Sequence, residues 1–346
     1  MATDLDTFLI VLYCIVDDIY IEQFAPFKPI RPGVRPEMSD SEVLTLALLS
    51  QWCGKRSERW MVDYARTHWS SYFPRILPQS AFNRRVRDLA GVLCALGPAV
   101  AQHLTEQLSL DAAYELVDGV PVPIMRRCRG DRHRLFANEV DIGKGGTDKE
   151  YYYGVKLMPA VSQSGLITGF VFGPASTEEH FLAEALFRAR HDPQAEPPTG
   201  AEMDQILGPT HQRGGKRAGP NGPLACVGAG KAAGVPYVSD LGLRGREWQS
   251  HWLETYGVPV LTKDAYDDSP SPERQKGRRW LSSLRQAVET TFQWLTDDLG
   301  LKFPRVRSWG GLLARMGAKI AAFNVALAFN FLMGRPTYSL FDPLRA

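Results

Sequence analysis

The chain has 346 residues, 44% of them hydrophobic, and a formal net charge of only +2. Such a length supports two or three domains with sizeable cores, and the small net charge by itself points to no polyanionic partner. The five cysteines are far apart, odd in number and form no Cys-x-x-Cys, which argues against a disulfide framework or a structural zinc site.

The charge is nevertheless clustered. Basic groups crowd at residues 55–59, Arg84-Arg85-Val86-Arg87, Arg126-Arg127-Cys128-Arg129, Arg213-Gly214-Gly215-Lys216-Arg217 and Lys276-Gly277-Arg278-Arg279. Clusters matter more than the sum when the partner is a phosphate backbone, although any one of them reads equally well as a solvated face.

From the start to about residue 110 the pattern is helical. Leu9, Val11, Leu12, Ile15 and Ile19 give one apolar face. Asp4 and Asp6 stand where a secretory leader would be basic, so a cytosolic protein is expected, nucleoid-associated if it binds DNA. Ser39 and Glu42 have the spacing of a capping box, and residues 43–52 form the buried side of the helix it opens. A helix is expected over Trp60–Trp69 and another after Leu77-Pro78-Gln79-Ser80. In the latter Phe82, Val86 and Leu89 face inward, with Asn83, Arg84 and Arg87 outward. The pair, around 60–90, suits a helix-turn-helix, and equally an ordinary amphipathic helix.

Beyond residue 111 strands appear. They are expected over 113–124, where Gly119, Pro121 and Pro123 break the strand late, and over 151–161 and 166–172, the last two joined by Ser162-Gln163-Ser164-Gly165. The run Gly143-Lys144-Gly145-Gly146 reads as a flexible loop that is also able to approach DNA. A helix over 178–190 follows, its acids Glu178 and Glu179 suiting the positive end of the helix. A Gly-, Pro- and basic-rich insertion over 191–235 is expected to be disordered in part, or ordered only on a partner. Next come a strand to Asp240, a helix over 246–256 stopped by Gly257, a strand over 258–262, a helix over 278–299 and a closing helix over 312–333. Its most apolar part, 320–333, is too short to span a bilayer, so no membrane partner is expected. The order predicts an α/β fold, a mixed sheet with helices on both faces over 111–305, preceded by the helical region 1–110 and followed by a helix and tail over 306–346.

Three acids sit where a carboxylate is awkward. Asp118 follows Tyr114 and Leu116 on one side of a strand, and Asp240 ends a second strand. Glu289 borders the stripe Leu281, Leu284, Val288, Phe292 and Leu295 on a helix, with Arg285 four residues before it. Each has an ordinary explanation: an Asp-Gly turn, a helix cap, an exposed ion pair worth a few tenths of a kcal/mol. Brought together they would repel, and divalent cations are the natural remedy. Mg²⁺ takes oxygen ligands from a few carboxylates, and two such ions about 4 Å apart stabilise the attacking and the leaving oxygen of a phosphoryl transfer.

At this point the residues resemble a family. Val117-Asp118-Gly119-Val120-Pro121-Val122, Tyr151-Tyr152-Tyr153-Gly154-Val155-Lys156-Leu157, Ser239-Asp240-Leu241-Gly242-Leu243-Arg244-Gly245 and Arg285-Gln286-Ala287-Val288-Glu289-Thr290-Thr291-Phe292 are similar, in order and spacing, to motifs of the DDE transposases of bacterial insertion sequences. The resemblance covers roughly residues 77–333. Leu243 stands where an aromatic is common. Ser282 and Thr296 replace the Tyr and Lys of a subgroup that handles DNA hairpins, so that activity is not implied.

The resemblance implies an RNase H-like catalytic domain and an enzyme that cuts and joins DNA at the terminal inverted repeats of its own element, inserting them into target DNA as a homodimer on DNA. Asp118, Asp240 and Glu289 would be the catalytic residues and would hold Mg²⁺ or Mn²⁺, two ions in all. Lys156 and Arg285 would position phosphate, and Asn83, Arg84, Arg87, Arg126, Arg127, Lys144 and Arg278 are the candidate DNA contacts. Two other readings share the fold: a domesticated DNA-binding regulator with little catalysis, and a structure-specific nuclease without strand transfer.

Overall fold

The structure is a computed structural model. It describes residues 5–28, 33, 36–52, 57–110, 112–133, 136, 139–145, 150–192, 194, 196, 202, 230, 232, 234–262 and 272–339. Most of the expected insertion over 191–235 lies outside the described residues. Two compact units divide the chain, 1–109 with 294–346, and 110–293. The boundary expected at 305 between the sheet and a C-terminal helix and tail over 306–346 is not where the units divide: 294–346 groups with the N-terminal helices.

The helical unit contains α1 (Leu5–Ile19), α2 (Asp40–Trp52), α3 (Glu58–His68), α4 (Gln79–Asp88), α5 (Ala90–Gln107) and, from the far end of the chain, the helix Trp309–Leu332. The capping box forms: Glu42 N donates to Ser39 Oγ at 3.1 Å, and Ser39 N donates to Glu42 Oε2 at 2.6 Å. Beside it, buried Asp40 accepts from Tyr20, Lys28 and Arg85. Residues 69–78 connect α3 and α4, longer than the three- or four-residue turn of a tight helix-turn-helix. Phe82 and Val86 of α4 are buried as expected, and Arg84 and Arg87 are exposed. Asn83, expected to point outward, is half-buried because its amide is bound to Glu58.

The helix Trp309–Leu332 is long and apolar enough to cross a membrane, but 89% of its apolar window is buried within the protein, as in a core helix. It lies against α5 with almost no gap. A Cβ at Gly317 would be 2.6 Å from Cys94 N, and one at Gly97 2.9 Å from Ile320 Cγ2. Asn324 Nδ2 donates to the carbonyl of Gly97 at 2.7 Å, the residue before Pro98, which interrupts the hydrogen-bond ladder of α5.

The sheet unit contains β1 (Glu115–Val117), β2 (Val120–Arg126), α6 (Arg127–His133), β3 (Asp141–Gly145), β4 (Glu150–Ser162), β5 (Ile167–Pro174), α7 (Glu179–His191), β6 (Tyr237–Ser239), α8 (Arg246–Tyr256), β7 (Val260–Thr262) and α9 (Pro272–Gln293). The helix of the other unit is α10 in chain order. The single strand expected over 113–124 is two strands interrupted at Asp118-Gly119. Both pair antiparallel with β4, while β5 and β3 pair with its opposite edge. β6 is parallel to β1 and β7 parallel to β6.

Gly143, Lys144 and Gly145 belong to β3 instead of a flexible loop. The backbone of β3 pairs with residues 150–154, and a Cβ at Gly143 would be 2.7 Å from the Ala175 carbonyl carbon, so only a hydrogen fits. One sheet face buries Val117, Met158, Ala160 and Val171 under Phe181, Leu182, Leu186 and Phe187 of α7 and Trp248 and Trp252 of α8. Into this core runs a fully buried pair. Arg190 donates to both Glu115 oxygens, at 2.5 and 3.0 Å, and Thr168 and Tyr237 complete the network.

Candidate carboxylate site of the sheet unit

The register of β1 and β6 decides where two of the three acids stand. Leu116 is level with Val238 and Val117 with Ser239. Asp118 and Asp240 are the next residue on each strand, so they leave neighbouring parallel strands side by side, on strands spaced about 4.8 Å apart. Alternation puts Tyr114, Leu116 and Asp118 on one face of the sheet, with Val238 and Asp240 beside them. That face meets α9, since Trp280 packs edge-on against Tyr114 at 5.7 Å between ring centroids.

Each aspartate is held by a glycine one or two residues on. Gly119 N donates to Asp118 Oδ1 at 2.8 Å, and Gly242 N donates to Asp240 Oδ1 at 2.6 Å. Such local bonds suit the Asp-Gly turn of the ordinary explanation at Asp118 and a short cap at Asp240, and they also fix both carboxylates at the strand ends.

Glu179 joins them. It lies in the first turn of α7, on the opposite face of the sheet. A Cβ at Gly119 would be 3.2 Å from Glu179 Oε1; one at Gly242 would overlap Glu179 Oε2 and lie 2.8 Å from Asp240 Oδ1. The two glycines thus open a slot at the sheet edge that the Glu179 carboxylate fills. The space beside Gly119 is taken by Glu179. Sequence reasoning left this residue to the helix dipole. The signal was a glycine just past each aspartate, which marks the space without naming its occupant.

Lys156 of β4 balances this charge. Its ammonium stands 3.7 Å from Glu179 Oε1 and donates to the Thr177 carbonyl at 3.0 Å. Tyr152, two pleats earlier on the same face of β4, has a buried phenol with no hydrogen-bond partner among the described residues. Burial, and after it the negative charge of Glu179, raises its pKa above the usual phenol value. The hydroxyls of Thr177 and Ser239 are likewise buried and unpartnered among the described residues. Polar atoms of this kind call for water or a ligand.

Glu289 is exposed on α9, between buried Val288 and buried Thr291. The side chains of Arg285 and Arg278 on the same helix lie outside the described residues. Arg126, Arg127 and Lys144 form an exposed group elsewhere on the unit. Arg127 and Lys144 lie 5.0 and 5.6 Å from the centroid of the Tyr151 ring.

Among the described residues no three His, Cys, Asp or Glu side chains already stand as a metal-ligating group. The donor chemistry at the strand ends nonetheless suits a hard divalent cation. It offers carboxylate oxygens from Asp118 and Asp240 with Glu179 adjacent, and no sulfur or imidazole among the acids named. No family model matches the chain, and neither does any curated protein or solved structure.

Proposed function

We propose that the chain is a metal-dependent DNA strand transferase, a transposase of an insertion sequence with an RNase H-like sheet. The observation that carries this reading is the pairing of Asp118 and Asp240 at equal height on neighbouring parallel strands, on the face that α9 covers. The strand arrangement supports it: three antiparallel neighbours, β5, β4 and β1, then β6 and β7 parallel to β1. Functional groups of such sheets gather beyond the carboxyl ends of the parallel strands.

Helix α9 supplies the third acid in this reading. From Trp280, beside Tyr114, to Glu289 the helix rises about 13 Å, and from Tyr114 to Asp118 extended chain also runs about 13 Å. A parallel course of the two brings Glu289 level with Asp118.

Asp118, Asp240 and Glu289 would hold Mg²⁺ or Mn²⁺. The bound ions supply charge neutralisation at the attacking and departing oxygens of a phosphodiester. The protein's own groups set the geometry. The Gly119 and Gly242 amides orient the two aspartates, and Lys156 keeps Glu179 from crowding them with uncompensated charge. In this reading Arg285, Arg278 and the basic group around Tyr151 would meet the phosphate backbone of element ends and target. DNA is the partner, a homodimer the expected assembly on two element ends, and the cytosol or nucleoid the expected location.

The test is cleavage and joining of DNA carrying the inverted repeats that flank the coding region, with Mg²⁺ or Mn²⁺. Asp118→Asn, Asp240→Asn and Glu289→Gln should each abolish cleavage and leave DNA binding intact. Near-normal cleavage by one variant removes that residue from the site. Cleavage without joining of a pre-cut 3′-hydroxyl end indicates a nuclease, and binding without cleavage by the wild type indicates a regulator.

A further inference from the structure

We propose that the helical unit carries its own phosphodiester-binding cleft, made from both ends of the chain, which takes the backbone of duplex DNA. The cleft measures about 670 Å³ and is lined by the start of α3, by α4, and by residues 305–308 with the first turns of α10. Those segments are remote in sequence, and the fold brings them to one surface.

Its charge is unbalanced. Glu58, the acid among the lining residues, is bound by Arg315 at 3.1 Å and by Asn83. Arg59 lies 3.8 Å from Asp63 at the rim. Arg87 donates to the Asn83 carbonyl at 3.4 Å. Arg87, Arg305 and Arg307 are exposed and have no acidic partner among the described residues. Three positive charges therefore face the same hollow without compensation.

The backbone holds two of them there. Residues 303–307 alternate exposed and buried, with Pro304 and Val306 turned inward and Arg305 and Arg307 outward. Phe303 and Arg305 both have φ of 55°, a left-handed conformation uncommon for such residues. A strained turn that presents two arginines is more than a loop of convenience. Two helices also begin at the cleft: Ser57 caps α3, accepting from Trp60 N at 3.3 Å, and Ser308 caps α10, accepting from Gly311 N at 3.2 Å. The positive ends of these helices add to the arginine field.

The shared chemistry is phosphate. The open hollow and the spread of arginines over separate segments suit successive phosphates of a strand better than one small anion, which needs convergent donors. The identification of the strand as DNA rests on the transposase reading; the cleft itself does not.

The experiment is fluorescence anisotropy of the full chain with a labelled 30-bp duplex, titrated between 50 and 200 mM salt. The variants are Arg305→Asn/Arg307→Gln, Arg307→Gln alone, and Lys302→Gln as a control in the same loop. Asn is chosen at 305 because it tolerates left-handed backbone. The double variant should bind on the order of 10-fold or more weakly. Its salt slope should fall by about two, and that of the single variant by about one, at roughly 0.9 per phosphate contact. Lys302→Gln should match the wild type. Unchanged affinity and slope in a folded Arg307→Gln protein overturns the proposal, as does displacement of the duplex by inorganic phosphate at low millimolar concentration, which would mark a small-anion site. If the wild type binds but does not cut DNA while the arginine variants lose binding, the cleft stands and the transposase reading falls. If cutting is normal and the variants bind normally, the cleft alone falls.

Discussion

Glu179 Oε2 occupies the space that a side chain at residue 242 would need, and Asp240 Oδ1 is the next atom a Cβ there would meet, at 2.8 Å. Gly242 is thus a spacer between two carboxylates from different elements. The relationship makes a mutation at a residue without a side chain informative about the acids around it.

Gly242→Ala should push Glu179 and Asp240 apart. A displacement of about 1 Å at a reacting site can cost on the order of 100-fold in rate, and a loss of that size in metal-dependent cleavage is expected. Adding Glu179→Ala to Gly242→Ala should recover part of it by vacating the slot. Cleavage rates of the three proteins, with Mn²⁺ binding followed by calorimetry, check this; a Gly242→Ala enzyme of normal rate removes the slot from the site.

The Glu115–Arg190 pair should behave as a buried ion pair does when one partner is lost. Arg190→Met strands Glu115 in the core and should cost roughly 3–5 kcal/mol, whereas Glu115→Leu/Arg190→Met should recover much of that. Denaturant unfolding of the single and double variants measures the difference.

Gly317→Ala tests the crossing of α5 and α10. The added methyl would sit 2.6 Å from the Cys94 amide nitrogen, against backbone that cannot rotate away. Overpacking of this kind costs roughly 1–3 kcal/mol, enough to outweigh the gain of about 1 kcal/mol in helix propensity that Ala has over Gly. A variant as stable as the wild type would show that the helices can part.

His191 gives a pH dependence with a definite sign. Burial lowers its pKa below the ordinary imidazole value, the adjacent Arg190 charge lowers it further, and Glu115 opposes both. The unfolded chain takes up the proton near pH 6.5 and the folded protein resists it. The stability from neutral His191 is therefore complete above pH 6.5 and is lost as pH falls through the lowered folded value. His191→Phe keeps a ring beside Tyr256 and should flatten the fall in thermal midpoint between pH 7 and 5. An unchanged profile would assign that fall to other groups.

Local signals in the sequence carried the elements that depend on neighbours in the chain. The capping box at Ser39 and Glu42, the helix Arg246–Tyr256 ending at Gly257, and the inward Phe82 and Val86 were all legible, because caps, a left-handed stop and helical spacing act within a few residues. β3 was not legible: its glycines resemble a loop, and only pairing with β4 and the close approach of Ala175 make them a strand. The break at Asp118-Gly119 had a local signal in Gly119, Pro121 and Pro123, and β1 and β2 part at the first of these.

Readable from the chain alone were Asp240 as a strand-end acid, the alternation that gives Asp118 and Leu116 one face, and the α/β order of elements. Tertiary structure alone decided that Val117 is level with Ser239, which makes Asp118 and Asp240 neighbours, that Glu179 fills the slot beside them, and that the last helix returns to the first. Register, slots and the pairing of distant helices are properties of surfaces meeting, set by steric fit and buried charge between segments that no local pattern relates.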